Sequence, residues 1–264
     1  MALVIGNLAY DVFDPLVNPA NDADDTCTAL KRVGFTTLCY TNLRNRDDFA
    51  ARVQEFVDQL GPDTTSVFYY SGHAVQVGNE NYLVPTETQV ASLHQDFTQQ
   101  FYRLNELFDK LNGRPAAFQM VVLDACRTDP FADAPLPSTP AMSGVNTASR
   151  AVVLKSLRVV ANATYGLQRI NHAPVGTLVL YATASGDAAF DGIGRNGPLT
   201  KHFLAHIESP GISVEELIKR VTRGVQSDTS KGFGKQQTPF VYSSFTGNFC
   251  FAGCPQPMFV TPTN

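Results

Sequence analysis

Phe118-Gln119-Met120-Val121-Val122-Leu123-Asp124-Ala125-Cys126-Arg127 is the stretch on which the fold turns. Residues 120–123 form a continuous apolar, β-branched run, as expected of a strand buried on both faces of a sheet. The run stops abruptly at Asp124-Ala125-Cys126-Arg127, and open α/β sheets keep their chemistry at such strand ends. A second run, Val67-Phe68-Tyr69-Tyr70, ends the same way at Ser71-Gly72-His73. The two ends offer a thiol, Cys126, and an imidazole, His73, 53 residues apart. Together they read as one cysteine–histidine site.

Outward from these two runs the chain alternates strand and helix. Residues 2–5 are a short apolar strand closed by Gly6-Asn7. Asn18-Pro19 opens a helix that carries Asp22, Asp24 and Asp25 near its favourable N-terminal end and stops near Gly34. A strand over 35–40 follows. Phe49, Val53, Phe56, Val57 and Leu60 then give a helix over about 45–60 its apolar face. Residues 82–85 form a short extended piece, and Leu104, Leu107, Phe108 and Leu111 mark a helix stopped by Asn112-Gly113. This order predicts a parallel α/β sheet covered on both faces. Residues 128–148, with four prolines among Ala, Ser, Thr and Asp, read as a linker. Beyond it come a strand over 177–182 and a helix outlined by Leu199, Phe203, Leu204 and Ile207. A capping box at Ser213 and Glu216 opens another helix, and 239–242 and 249–251 read as late strands.

At 264 residues the chain suits one large domain or two small ones. Its 44% hydrophobic and 17% charged residues argue against disorder. A net charge of -4 without a long basic run argues against nucleic acid or an anionic membrane as partner. No apolar run reaches the roughly 18 residues of a membrane span, and the uncharged start is too short for a signal peptide. Five cysteines, an odd number, fit a reducing compartment better than a disulfide scaffold. A cytoplasmic protein is therefore expected, with a longer parent chain left open.

Among the cysteines, Cys27, Cys39, Cys250 and Cys254 read as small buried hydrophobes, and no zinc-ligand set surrounds the last two. Cys126 differs in having polar neighbours and a strand-end histidine upstream. Thiol catalysis needs that imidazole to take the proton, and backbone N–H donors for the oxyanion. His94, His172, His202 and His206 fall in loops or on helices and read as surface residues.

Tyr69-Tyr70-Ser71-Gly72-His73, Asn81-Tyr82-Leu83-Val84-Pro85 and Leu123-Asp124-Ala125-Cys126-Arg127 resemble the caspase-like peptidases of the paracaspase and metacaspase branch, particularly the bacterial ones. Residues 2–7, 181–186 and 191–198 extend the resemblance over nearly the whole chain. The histidine about 50 residues before an Ala-Cys pair matches the caspase signature. The resemblance implies an α/β fold with a six-stranded, mainly parallel sheet flanked by helices on both faces. It implies one peptidase domain over 1–254: a large-subunit-like half (1–130), a linker or insert (128–174) and a small-subunit-like half (175–254). Residues 255–264 would form a tail. It also implies catalysis by Cys126 and His73, with the backbone N–H groups of Ala74 and Cys126 as oxyanion hole.

Two departures from the family pattern bear on activity. Caspases select aspartate with a glutamine and two arginines; the matching places here hold Asp124, Asp22 and Asp191. Reversed charge implies reversed preference, for arginine and then lysine. Read without the family, Asp22 is a helix N-terminal charge and Asp191 a turn residue before glycine. The family's histidine is followed by glycine, here by Ala74. Alanine keeps the N–H, but a left-handed backbone there would cost about 1 kcal/mol or more. This motivates a rival reading, a catalytically impaired scaffold that binds partners.

No cofactor or metal is expected, and the partners are protein or peptide substrates with exposed Arg or Lys. A homodimer is left open. Arg150, Lys155, Arg158 and Arg169 lie in the linker as candidate self-cleavage sites.

Overall fold

A computed structural model describes residues 1–77, 80–88, 97–114, 116–125, 173–183, 189–192 and 194–255. Nine strands and five helices follow one another along these residues: β1 (Ala2–Gly6), α1 (Pro19–Arg32), β2 (Thr37–Thr41), α2 (Arg46–Val57), β3 (Thr65–Ser71), β4 (Ala74–Val77), β5 (Glu80–Leu83), β6 (Tyr102–Arg103), α3 (Leu104–Asn112), β7 (Phe118–Asp124), β8 (Thr177–Tyr181), α4 (Pro198–Ile207), α5 (Val214–Phe233) and β9 (Phe240–Ser243). Six strands make one sheet in the order β2-β1-β3-β7-β8-β9. All its pairings are parallel except β8 with β9.

Alternation along the strands supplies two cores. Val4, Tyr69, Met120, Val122, Leu178 and Leu180 face one way, against Ala23 and Leu30 of α1, Leu199 and Phe203 of α4, and Leu217 and Val221 of α5. Ile5, Phe68, Tyr70, Val121, Leu123 and Val179 face the other way, against Phe49, Val53 and Phe56 of α2 and Leu107 and Phe108 of α3. The period of two along each strand is what sends neighbouring side chains to opposite cores. The α/β fold with helices on both faces is therefore present. Gly6 lets α1 pack directly on β1, because a Cβ there would run into the Pro19 carbonyl.

The structure adds elements and corrects others. A small antiparallel sheet, β4-β5-β6, stands beside the main one; only its β5 segment was expected, as the extended piece at 82–85. Residues 249–251 are not a strand. Their rings plug the end of the core instead, with Phe249 stacked on Phe118 at 4.5 Å and edge-on to Phe251 at 5.0 Å. The expected capping box is half formed: Ser213 accepts the Glu216 N–H at 3.3 Å, while the Glu216 carboxylate turns to Arg220 at 2.8 Å.

The reading of four cysteines as unpaired is corrected as well. Cys27 of α1 is disulfide-bonded to Cys39 of β2, and Cys250 to Cys254. The argument for a reducing compartment from cysteine usage falls with it. Closing the 12-residue separation between Cys27 and Cys39 should stabilise the fold by about 3 kcal/mol. No helix among the described residues is long and apolar enough to cross a membrane.

Of five cysteines, the two disulfides take four, which leaves Cys126. Native protein kept away from reductant should therefore titrate one thiol per chain, and five after reduction in denaturant. Three or more thiols before reduction would mean that at least one pair is not formed.

Candidate active site

The sheet's order reverses between β1 and β3, the switch point beside which open α/β sheets form a crevice at their C-terminal ends. Ser71 closes β3, and Gly72 leads directly to His73. A Cβ at Gly72 would stand 2.6 Å from the Tyr70 hydroxyl and 2.7 Å from that of Tyr10. Those hydroxyls occupy the space because they clamp the His73 backbone. Tyr10 Oη accepts the His73 N–H at 2.8 Å, and Tyr70 Oη donates to the His73 carbonyl at 2.7 Å. Burial pushes the Tyr70 hydroxyl well above its ordinary range, so it remains a donor.

The His73 ring is buried, lies 4.5 Å from the Tyr10 ring, and places Nε2 2.8 Å from the Asp14 carbonyl oxygen. A carbonyl only accepts, so Nε2 carries the proton and Nδ1 becomes the basic nitrogen of the neutral ring. Asp14 belongs to the loop between β1 and α1. Tyr10, Phe13 and Leu16 fasten that loop to Val75, Val84 and Phe101 in a third apolar cluster.

Ala74 follows as the first residue of β4, opposite Leu83. The Val84 N–H donates to the His73 carbonyl at 3.1 Å. In an antiparallel ladder of that register the Ala74 N–H is turned away from β5, free to serve as an oxyanion donor. Among the described residues Asn42 is the one non-glycine with a positive φ. Ala74 thus does not adopt the left-handed backbone that would have made alanine costly, and the strain expected there is absent.

The three acids are fully buried, and each is met by donors. Asp22, in the first turn of α1, accepts from Ser71 Oγ at 2.9 Å and from the Gly197 N–H at 3.0 Å. Asp124, opposite Ser71 in the β3–β7 register, accepts from Thr200 Oγ1 at 2.6 Å. Thr200 in turn accepts from the Tyr69 hydroxyl, since its single proton goes to Asp124. Burial, and next the charges of Asp22 and Asp124, raise the Tyr69 hydroxyl well above its ordinary range. Tyr69 is therefore a neutral donor that feels the charge of both carboxylates.

Asp191 takes a different place. Its Oδ2 accepts the backbone N–H of Val17 at 2.7 Å and that of Asn18 at 3.4 Å, while Asn18 Nδ2 donates to the Asp191 carbonyl. Nearby, Arg195 grips Asp25 through two bonds of 2.8 Å, which holds the Asp25 carboxyl below its usual range.

The structure thus gathers His73, Asp22 and Asp124 at one end of the sheet, with Asp191 at the foot of α1. Cys126, two residues past Asp124, lies outside the described residues, as do Arg150, Lys155, Arg158 and Arg169. Asp14, Tyr10 and Thr200 escaped the sequence reading. Asp14 acts through its backbone, and a tyrosine in a loop or a threonine on a helix carries no distinctive pattern. The family model described as the caspase domain matches residues 1–250.

The chain belongs to the caspase family. Caspase-1 from Spodoptera frugiperda shares its fold, with a TM-score of 0.60 at 14% identity over 96% of this chain and 90% of that one. No curated protein sequence matches the chain. Within this caspase fold, Ala74 tests the unstrained backbone. Ala74→Gly should leave turnover unchanged or lower and should destabilise the strand by about 0.5–1 kcal/mol. A higher turnover in the glycine variant would show that the alanine does hinder the oxyanion donor.

Proposed function

We propose that this caspase-family domain is a cysteine endopeptidase of the paracaspase and metacaspase type, cutting after arginine and, less readily, lysine. One observation carries the reading: two buried carboxylates flank the strand end before the histidine, Asp22 bonded to Ser71 and Asp124 opposite Ser71 in the β3–β7 register. Each carboxylate oxygen has more than one lone pair, so both retain acceptor capacity for a guanidinium. A cation entering between them relieves their mutual repulsion, which no acidic or neutral substrate side chain can do.

The chemistry then follows from the tautomer. His73 Nδ1 takes the Cys126 thiol proton, and the thiolate sulfur attacks the carbonyl carbon of the scissile bond. The N–H groups of Ala74 and Cys126 stabilise the oxyanion. Nδ1 gives the proton to the departing amine and leaves a thioester on Cys126. Water, deprotonated by the same nitrogen, releases the acid and restores the thiol. The Asp14 carbonyl keeps Nε2–H in place throughout and stabilises the imidazolium. Substrates are proteins or peptides with exposed Arg or Lys, the domain's own linker included.

The test uses peptide substrates ending in Arg, Lys, Asp or Leu before the cut. Wild type should cleave the first two, and Cys126→Ala none. Asp124→Asn should lower kcat/KM for arginine at least about tenfold, since loss of one partner from a buried charged pair costs about 2 kcal/mol or more. It should leave alkylation of Cys126 by iodoacetamide nearly unchanged. Preference for aspartate, or indifference to Asp124, would sink the pocket assignment, and turnover by purified Cys126→Ala would sink the thiol mechanism.

For the linker, intact mass should show two fragments from wild type, with new ends at Arg150, Lys155, Arg158 or Arg169, and one species from Cys126→Ala. An uncut wild type that cleaves peptides would remove self-processing alone.

A further inference from the structure

The loop between β1 and α1 touches two parts of the site. At its middle the Asp14 carbonyl meets His73 Nε2 at 2.8 Å. At its end the Val17 and Asn18 N–H groups converge on Asp191 Oδ2 at 2.7 and 3.4 Å. The loop's first half has other anchors: the Leu8 and Ala9 N–H groups on Asn42 Oδ1, both at 3.1 Å, and the Asp11 N–H on the Thr86 carbonyl at 3.0 Å. Its second half is held by the buried Phe13 and Leu16 side chains, by the Leu16 N–H on the Leu8 carbonyl at 3.1 Å and, at its end, by Asp191. Val17 is 61% exposed, so its side chain contributes little hold and its backbone depends on the carboxylate. Asp191 is fully buried and takes two backbone donors at the start of α1 on one oxygen, whereas Asp22 takes a side-chain hydroxyl beside its one backbone N–H and Asp124 takes a side-chain hydroxyl.

We propose that Asp191 is a positioning residue, whose carboxylate fixes the end of the β1–α1 loop and thereby sets the Asp14 carbonyl that orients the His73 ring. This rests on the peptidase reading above, and gives Asp191 a role other than direct contact with the substrate's cation. It makes the tautomer of a base in the first half of the chain depend on an acid from the second. The distance to be held is short: only Pro15 and Leu16 separate Asp14 from Val17. A carbonyl that drifts from Nε2 lets the ring turn or switch tautomer, and misplacement of this size costs rate without weakening ground-state binding. Titratable side chains near His73 include Tyr10 and Tyr70, which contact it, and the Asp22 and Asp124 carboxylates at Ser71, two residues before it; none of these changes in the variants below.

Three variants separate the roles. Asp191→Asn loses the charge but keeps an oxygen for the Val17 N–H. Asp191→Ala loses both. Val17→Pro deletes the donor at an exposed position and leaves Asp191 in place, so it carries the test even where Asp191→Ala fails to fold. The measurements are kcat and KM on arginine and lysine peptides, and the pH dependence of Cys126 alkylation by iodoacetamide, which needs no turnover.

Asp191→Ala and Val17→Pro should lower kcat about tenfold on both substrates, with KM within about twofold. Both should move the alkylation profile up by about one pH unit, as the thiolate loses its imidazolium partner. Asp191→Asn should stay within about threefold of wild type and keep the wild-type profile, because the retained hydrogen bond and not the charge does the holding.

An Asn variant as damaged as Ala, with the loss in KM and confined to arginine, would mean that Asp191 binds the cation and would overturn the proposal. An unchanged alkylation profile in Val17→Pro would overturn it too. His73→Ala is the control on the underlying reading. If it leaves the wild-type profile where it was, the thiol and imidazole are not paired, and the peptidase assignment falls together with the role given to Asp191.

Discussion

Three carboxylates without access to water lie in one corner of the fold, and a charge taken out of water costs several kcal/mol unless donors meet it. Supplying those donors ties the two ends of the chain together. Asp22, from the first stretch, takes the Gly197 N–H of the second, and Asp124 takes the Thr200 hydroxyl. Asp191, from the second stretch, takes the Val17 and Asn18 N–H groups of the first. The exchange runs both ways across the sheet end. The first turns of α1 and α4 both open onto it, and the partial positive charge at their N-termini favours the same anions.

Histidine placement obeys a second, steric constraint. Two tyrosine hydroxyls occupy the volume a side chain at residue 72 would need. They convert that volume into a donor and an acceptor for the next residue's backbone. Tyr70 is fixed by burial in β3, while Tyr10 arrives on the loop that also brings Asp14. Backbone and ring of His73 are thus held by the same segment. Side-chain packing of Phe13 and Leu16 against Val75 and Val84 keeps that segment in place.

Much of this was legible in the letters, for definite reasons. Strands such as β3 and β7 are apolar runs that end in polar residues, and α2 and α5 carry their apolar faces at helical spacing. Each signal is local. His73, Asp22 and Asp124 were legible because their chemistry sits in side chains at element ends. What escaped has no letter. A backbone carbonyl such as that of Asp14 can belong to any residue, and the φ of Ala74 follows from β4, a strand of four residues too short to show alternation. The aromatic run at 249–251 has the composition of a strand but spends it on stacking under Phe118. Cys27 and Cys39 pair because α1 returns antiparallel to the strand beside it, a geometry that spacing alone does not give.

The two disulfides have a consequence for chain continuity. Cys27–Cys39 lies wholly within the first stretch and Cys250–Cys254 wholly within the second. No covalent link among the described residues therefore spans the junction between β7 and β8. There the stretches are joined by a five-pair parallel ladder, from Gln119 opposite Thr177 to Leu123 opposite Tyr181, and by the acid–donor exchange at its end. A chain opened between β7 and β8 would keep its native shape, since none of those contacts needs the connecting peptide. Its return from the unfolded state would change order, however. Folding of the intact chain is unimolecular, whereas the opened chain must reassemble by collision of two pieces, at a rate that falls with dilution. Opened and intact molecules would thus look alike while folded and part ways at the first unfolding event, one recovering and the other dispersing.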